Sequence, residues 1–159
     1  EVDLNVRPGI EANGNVFRKS DYDADFALST DHLKLSQCLI NLLSNSGKFT
    51  SDGSVSLKIA TESRGGEDWL QFVVRDTGIG MTDEELTRVF EPFTQADVST
   101  TRAYGGTGLG LCITQSLVQL LGGEMEVSSV SGEGTAFTIN VPAIHPETTA
   151  VESKVSTAA

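Results

Sequence analysis

The sequence predicts an α+β domain built in two layers, with a mixed or antiparallel sheet of about five or six strands backed by three helices. Three observations carry this. Apolar residues alternate over 55–61 and 69–76 around a polar loop at 62–68, a hairpin signature. They alternate again over 135–141, paired with 125–129 across Ser131-Gly132-Glu133-Gly134. Between and before these, residues 31–46 and 109–121 place apolar side chains at helical spacing. Strands joined as hairpins exclude a doubly wound parallel sheet, which needs a crossover after every strand.

Taken in order, residues 2–6 and 23–29 read as short strands, separated by a polar stretch with Pro8, Gly9, Asn13 and Gly14. Asp21, Asp23 and Asp25 mimic the opening of a calcium loop, but Phe26 and His32 stand where that loop needs Gly and Glu, so alternating acids on the wet face of a strand are the better reading. Asp31 is the expected N-cap of the next helix, whose apolar face is Leu35, Leu39, Leu42 and Leu43. Thr82-Asp83-Glu84-Glu85 opens a short helix with acids in its first turn. Residues 94–107 are polar, small and aperiodic, and a loop of that length is expected to act as a lid. After Pro142 the composition turns to Thr, Ser, Ala and Glu. The division expected is therefore a domain over 1–142 and a tail or linker over 143–159. The chain starts at Glu1 rather than Met, so it is expected to be a piece of something longer.

The composition narrows the function. Of 159 residues, 11 are Lys or Arg and 22 are Asp or Glu, a formal charge of −11. Nucleic acid and anionic membrane surfaces reward a basic face, so neither is the expected partner. No apolar run is long enough to span a bilayer. Cys38 and Cys112 both sit in apolar helical patterns and read as buried free thiols, which fits a reducing, cytoplasmic compartment. Glycine is in excess at 16 residues, and much of the excess is clustered.

Four clusters carry chemistry. Asn41, Asn45 and Lys48 are four and three residues apart, within roughly 60° on one helix face. Amides in that setting need partners, and they suit a hard cation such as Mg2+, with the ammonium on a phosphate. Asp76-Thr77-Gly78-Ile79-Gly80-Met81 ends an apolar strand with a carboxylate, followed by glycines that let the chain pass close to a flat ring. A second Asp-Thr-Gly triplet is absent, which disfavours an aspartic protease. Gly105-Gly106-Thr107-Gly108-Leu109-Gly110-Leu111 precedes a helix, where free N–H groups bind anions, yet it fits neither the dinucleotide nor the Walker pattern. Phe90-Glu91-Pro92-Phe93, with Arg102 and Tyr104 beyond, could anchor a lid and reach an anion.

In that order and spacing, the clusters resemble the ATP-binding catalytic domain of sensor histidine kinases, a Bergerat fold. Residues 31–50 are similar to its N box and 76–81 to its first glycine box. Phe90-Glu91-Pro92-Phe93 is similar to its phenylalanine box, Gly106-Thr107-Gly108-Leu109-Gly110-Leu111 to its second glycine box, and 131–137 to its closing turn. The resemblance implies ATP and Mg2+ as cofactors. Asn41 and Asn45 would serve the Mg2+–phosphate end, and at least one would ligate the metal. Lys48 would contact phosphate, Phe49 or Thr50 would border the nucleotide, and Asp76 would accept from the adenine amino group. Gly78, Gly80, Met81 and Phe93 would line the base. Arg102, Gly106, Thr107, Gly108, Leu109, Gly110 and Leu111 would close over the phosphates.

The resemblance further implies transfer of the γ-phosphoryl group to a histidine on a separate dimerisation domain, and onward to a response-regulator receiver domain. His32 precedes Leu33 and His145 precedes Pro146, so neither fits the phosphoacceptor pattern. No catalytic residue for that step is therefore expected in this chain. The family usually has Ala at 46 and a larger apolar residue at 47. Ser46-Gly47 is thus expected to weaken the helix end, and with a lid poor in cations it keeps open a degenerate, nucleotide-binding signalling module. Other ATPases of this fold carry an acidic base one turn before the N-box Asn, where this chain has Gln37 and Cys38.

Overall fold

A computed structural model describes residues 2–20, 31–92 and 110–143. The elements are α1 (Val2–Glu11), β1 (Val16–Lys19), α2 (His32–Lys48), β2 (Ser54–Arg64), β3 (Glu67–Asp76), α3 (Asp83–Arg88), α4 (Gly110–Leu120), β4 (Glu124–Val130) and β5 (Gly134–Pro142). The five strands form one sheet in the order β1-β2-β3-β5-β4. Strand β1 runs parallel to β2, and the other neighbours are antiparallel, so the sheet is mixed as expected.

Two hairpins form the backbone of the sheet. Strands β2 and β3 pair from Val55 opposite Asp76 to Arg64 opposite Glu67. The polar loop expected over 62–68 shrinks to Gly65 and Gly66, whose φ values of 57° and 83° suit the tight turn that matches strand twist. Strand β5 then pairs with β3 on one side and β4 on the other. Leu57, Leu70, Phe72, Val74, Phe137, Ile139 and Val141 bury themselves beneath α1, α2 and α4.

Helix α2 starts where Asp31 accepts from Leu33 N and Lys34 N, both at 3.1 Å. It runs two residues beyond the expected 46, and Leu35, Cys38, Leu39, Leu42 and Leu43 are its buried face. Its end is stapled by the segment before β1. Asn13 and Asn15 both donate to the Gly47 carbonyl, at 2.9 and 3.3 Å, and Asn15 also donates to the Thr50 carbonyl at 2.7 Å.

The first turn of the chain corrects the sequence reading. Residues 2–6 are not a strand but the start of α1, despite Pro8 inside the helix. Val2, Val6 and Ile10 recur at helical spacing, and Val6 and Ile10 are buried against α2; packing outweighs the weak local propensity of Val, Pro and Gly. The described residues thus hold four helices rather than three. Strand β1 was hidden in a stretch read as polar, because it has four residues and buries only Phe17. The strand expected over 23–29 and the loop over 94–107 lie outside the described residues.

Candidate functional site

Among the described residues, those singled out in the sequence fall in two neighbourhoods of α2: the end of β3 and the β4–β5 turn lie against its end, and the start of α4 lies against Asn41. Asp76 closes β3 with a carboxylate only 7% exposed. Its Oδ1 accepts from Gly78 N at 2.9 Å and from Thr135 N at 3.2 Å. Burial pushes its pKa up; the Gly78 N–H, the neighbouring Ser46 hydroxyl and the Thr135 N–H oppose this by favouring the charged form. The bonds among the described residues fall on Oδ1, so Oδ2 is the oxygen left to face a donor.

The glycines after Asp76 act first on the protein's own backbone. A Cβ on Gly78 would lie 2.3 Å from the Phe49 carbonyl oxygen and 2.7 Å from Thr50 Oγ1. That close approach lets Ile79 N donate to the Phe49 carbonyl at 3.1 Å, tying this loop to the end of α2. Gly80 combines a φ of 64° with a carbonyl, that of Val130, 2.0 Å from where its Cβ would stand. Gly132 N donates to the Ile79 carbonyl at 2.7 Å, and Met81 N donates to Ser129 Oγ at 2.8 Å. The loop is therefore clamped between the helix end and the last hairpin.

The amide stripe on α2 meets the second glycine cluster. Asn41 Nδ2 donates to Thr114 Oγ1 at 2.6 Å, and that hydroxyl donates onward to the Gly110 carbonyl at 2.8 Å. A hydroxyl has one proton, so Thr114 can only accept from Asn41. This fixes the amide and leaves Oδ1 as the acceptor. Gly110 lies so close that a Cβ there would be 2.8 Å from Asn41 Oδ1. Asn45 is half-buried and its carbonyl accepts from Phe49 N at 3.0 Å, while Lys48 is exposed at the last turn. An open cleft of about 270 Å3 runs between α2 and α4 beside Asn41, lined also by Gln37, Ser44, Gly110 and Thr114.

Gly110 and Leu111 form the first turn of α4, with Leu111 packed on the core. Phe93, Arg102, Gly106, Thr107, Gly108 and Leu109 lie outside the described residues. No group of three His, Cys, Asp or Glu side chains suited to a metal occurs among the described residues. The Asn41 amide, with its NH2 spent on Thr114, offers one neutral oxygen. That fits Mg2+, which keeps most of its shell as water and phosphate oxygen.

Sequence reasoning missed Thr114, Ser129 and Thr135, whose roles depend on contacts across elements. It also misjudged Ser46 and Gly47. Both are buried, and the Gly47 carbonyl accepts from two asparagines, so this helix end is packed rather than loosened.

The family model for histidine kinase-, DNA gyrase B-, and HSP90-like ATPases matches residues 30–145, and the chain belongs to that family. Within it, the chain stands with the ATP-binding catalytic domains of sensor histidine kinases. It is 42% identical over 139 residues to the autoinducer 2 sensor kinase/phosphatase LuxQ of Vibrio parahaemolyticus, which covers 86% of this chain and 16% of that protein. Its fold matches the mycobacterial sensor histidine kinase MprB with a TM-score of 0.73 at 24% identity, covering 89% of this chain and 93% of the other. Full-length ShkA in complex with AMPPNP matches with a TM-score of 0.70 at 28% identity, covering 90% of this chain and 30% of ShkA. The chain spans about a sixth of the length of the LuxQ relative it matches. No helix among the described residues is long and apolar enough to cross a membrane.

Proposed function

We propose that this chain binds Mg–ATP and presents its γ-phosphoryl group to a histidine on a dimerisation domain elsewhere in the parent protein, which then passes it to a receiver domain. The observation that carries the reading is the Asp76 carboxylate, buried and with Oδ1 committed to two backbone N–H groups, so that Oδ2 meets a ligand's donor. Adenine offers an amino group there, whereas guanine offers a carbonyl that a carboxylate would repel. Met81, Gly78 and Gly80 shape the loop against which the base lies, with Phe49 and Thr50 at its border and Phe93 beyond. Asn41 and Asn45 supply oxygen to the metal, Lys48 meets phosphate, and Arg102 and the N–H groups of Gly106, Thr107, Gly108, Leu109, Gly110 and Leu111 enclose it. A bound Mg2+ would neutralise phosphate charge as the γ-phosphoryl leaves.

The transfer forms a bond from phosphorus to imidazole nitrogen and breaks the bond to the β-phosphate oxygen. This chain's share is positioning and charge stabilisation, and the acid–base group comes with the histidine domain. We assign residues 1–142 to the catalytic domain and 143–159 to a tail. The packing of Val6 and Ile10 into the core supports starting the domain at its first residues. Cys38 and Cys112 form no disulfide, which supports a reducing, cytoplasmic setting. A degenerate module loses one of its two motives, because Ser46 and Gly47 are buried in the packing; the lid lies outside the described residues.

Isothermal titration with Mg–ATP and Mg–GTP tests the reading. Saturable heat with ATP alone is expected, with no phosphohistidine on the isolated chain until the histidine domain is added. Absence of heat at millimolar Mg–ATP would overturn it.

A further inference from the structure

Behind the site stands an asparagine whose side chain is spent on the protein's own backbone. Asn15, between α1 and β1, is 4% exposed. Its NH2 donates to the Gly47 carbonyl at 3.3 Å and to the Thr50 carbonyl at 2.7 Å, while its Oδ1 accepts from Gly53 N at 3.0 Å. One planar group thus fixes the last turn of α2, the residue after its C-cap and the residue that leads into β2. Asn13 adds a second donor to the Gly47 carbonyl, and its own carbonyl accepts from Asp52 N at 3.1 Å. The segment held in this way, 49–54, is the wall on which the loop after Asp76 is laid. Ile79 N donates to the Phe49 carbonyl, Thr77 N donates to the Ser54 carbonyl at 3.1 Å, and Ser54 N donates to Thr77 Oγ1 at 3.0 Å. Gly53 lies so close that a Cβ there would stand 2.5 Å from Thr77 Oγ1. Gly78 N in turn holds Asp76 Oδ1. A continuous set of contacts therefore leads from Asn15 through 49–54 to the loop that carries the carboxylate. Both asparagines precede residue 30, where the match to the ATPase family begins.

We propose that Asn15 is a positioning residue of the nucleotide site, holding 49–54 in the place that sets the loop over 76–79, and that through it nucleotide binding is coupled to the α1–β1 turn. The inference rests on the reading of this site as an ATP site. A buried amide with three bonds has one orientation, and its loss leaves two carbonyls and an N–H without those partners in the interior. Segment 49–54 can then shift against Thr77, Gly78 and Ile79. A binding loop that must be ordered again on binding gives up affinity. Coupling is reciprocal: a ligand that needs the ordered loop stabilises the bonds that order it, so nucleotide tightens the turn from Asn13 to Val16. Asn15 is buried behind the segment and acts through its backbone.

Asn15→Ala tests this beside Val141→Ala, which empties part of the core at the far end of the β3–β5 ladder from Asp76, where Val141 is opposite Leu70. Both variants are expected to melt lower than the wild type. Only Asn15→Ala should move the backbone amide signals of Thr77, Gly78 and Ile79 in a nitrogen–proton spectrum of the empty domain. Only Asn15→Ala should lower the calorimetric affinity for Mg–ATP, by about three- to tenfold at a temperature where both variants are folded. In the wild type, local-opening hydrogen exchange at the Gly14 and Val16 amides, faster than global unfolding, should slow on adding Mg–ATP. That measurement decides the matter even where Asn15→Ala does not fold. Unmoved loop signals, unchanged ATP affinity, an equal loss in Val141→Ala, or exchange at Gly14 and Val16 that ATP leaves as it was would overturn the inference alone. A wild-type domain that binds no Mg–ATP would overturn the ATP reading and this inference with it.

Discussion

Gly47 of α2 lies directly against Ile10 of α1: a Cβ at position 47 would stand 2.9 Å from Ile10 Cγ1 and 3.2 Å from Ile10 Cα. The absent side chain is what lets the two helices meet. Gly47→Ala therefore reverses the usual sign of a glycine-to-alanine change in a helix. Propensity alone would favour Ala by about 1 kcal/mol. Forcing a methyl into a packed contact costs typically about 1–3 kcal/mol. A net loss of about 1 kcal/mol is expected in urea denaturation, and a more stable variant would show that α1 does not pack here.

Thr114 holds Asn41 by a single bond, and its own proton goes to the Gly110 carbonyl. Thr114→Val keeps the shape and removes the acceptor, so the Asn41 amide is free to turn. Mg–ATP affinity should fall about three- to tenfold, the value of one hydrogen bond, while Thr114→Ser restores it. The side-chain amide signals of Asn41 in a nitrogen–proton spectrum should shift in the Val variant even without nucleotide. Unmoved signals would mean that Thr114 does not orient the amide.

What the sequence made legible follows from how local each signal is. Hairpins and the apolar stripe of α2 were readable because alternation and helical spacing are written in adjacent residues. The strand expected at 2–6 failed because Val2, Val6 and Ile10 declare a helix only once α2 supplies the surface they bury against. Strand β1 failed because a parallel partner, β2, lies 38 residues away along the chain from Val16 to Ser54. At the site, Asp76 and Asn41 were visible as polar residues in apolar settings. Thr114 and Thr135 were not, since a threonine in a helix or strand is unremarkable until its cross-element partner is known. Ser46-Gly47 looked like a defect in one helix, and becomes sound only when Ile10, Asn13 and Asn15 are placed beside it.

Cys38 is fully buried on α2 and lies 3.8 Å from the Thr114 carbonyl, toward which its thiol points. Burial pushes its pKa up to about 11. The reactive thiolate is therefore scarce at neutral pH, and reagent reaches it only when the domain opens. Native iodoacetamide labelling followed by peptide mass spectrometry should leave Cys38 unmodified on a timescale that labels it fully in urea. Adding Mg–ATP should slow any residual labelling. Rapid native labelling of Cys38 would contradict its place in the core.

Asp76 ties stability and binding together with opposite signs. Burial raises its pKa in the folded domain above the ordinary carboxylate value. A raised folded pKa means the folded state takes up a proton before the unfolded state does. This group's contribution to stability is then complete below the unfolded pKa and is lost as pH rises through the folded pKa. At neutral pH the buried charge is a burden that Asp76→Asn relieves, so the empty variant should melt no lower than the wild type. The gap should close on acidification, as Asp76 becomes neutral. Binding runs the other way, because only the carboxylate accepts well from an amino group. ATP should bind the Asn variant at least tenfold more weakly, as expected for a lost charge-assisted bond of about 1.5–3 kcal/mol. By linkage, bound ATP should pull the Asp76 midpoint down. Carbon-detected titration of the Asp76 carboxyl, with and without nucleotide, reads both effects. A midpoint at the ordinary value in the empty domain, or one that ATP leaves in place, would remove Asp76 from the role of base-reading carboxylate.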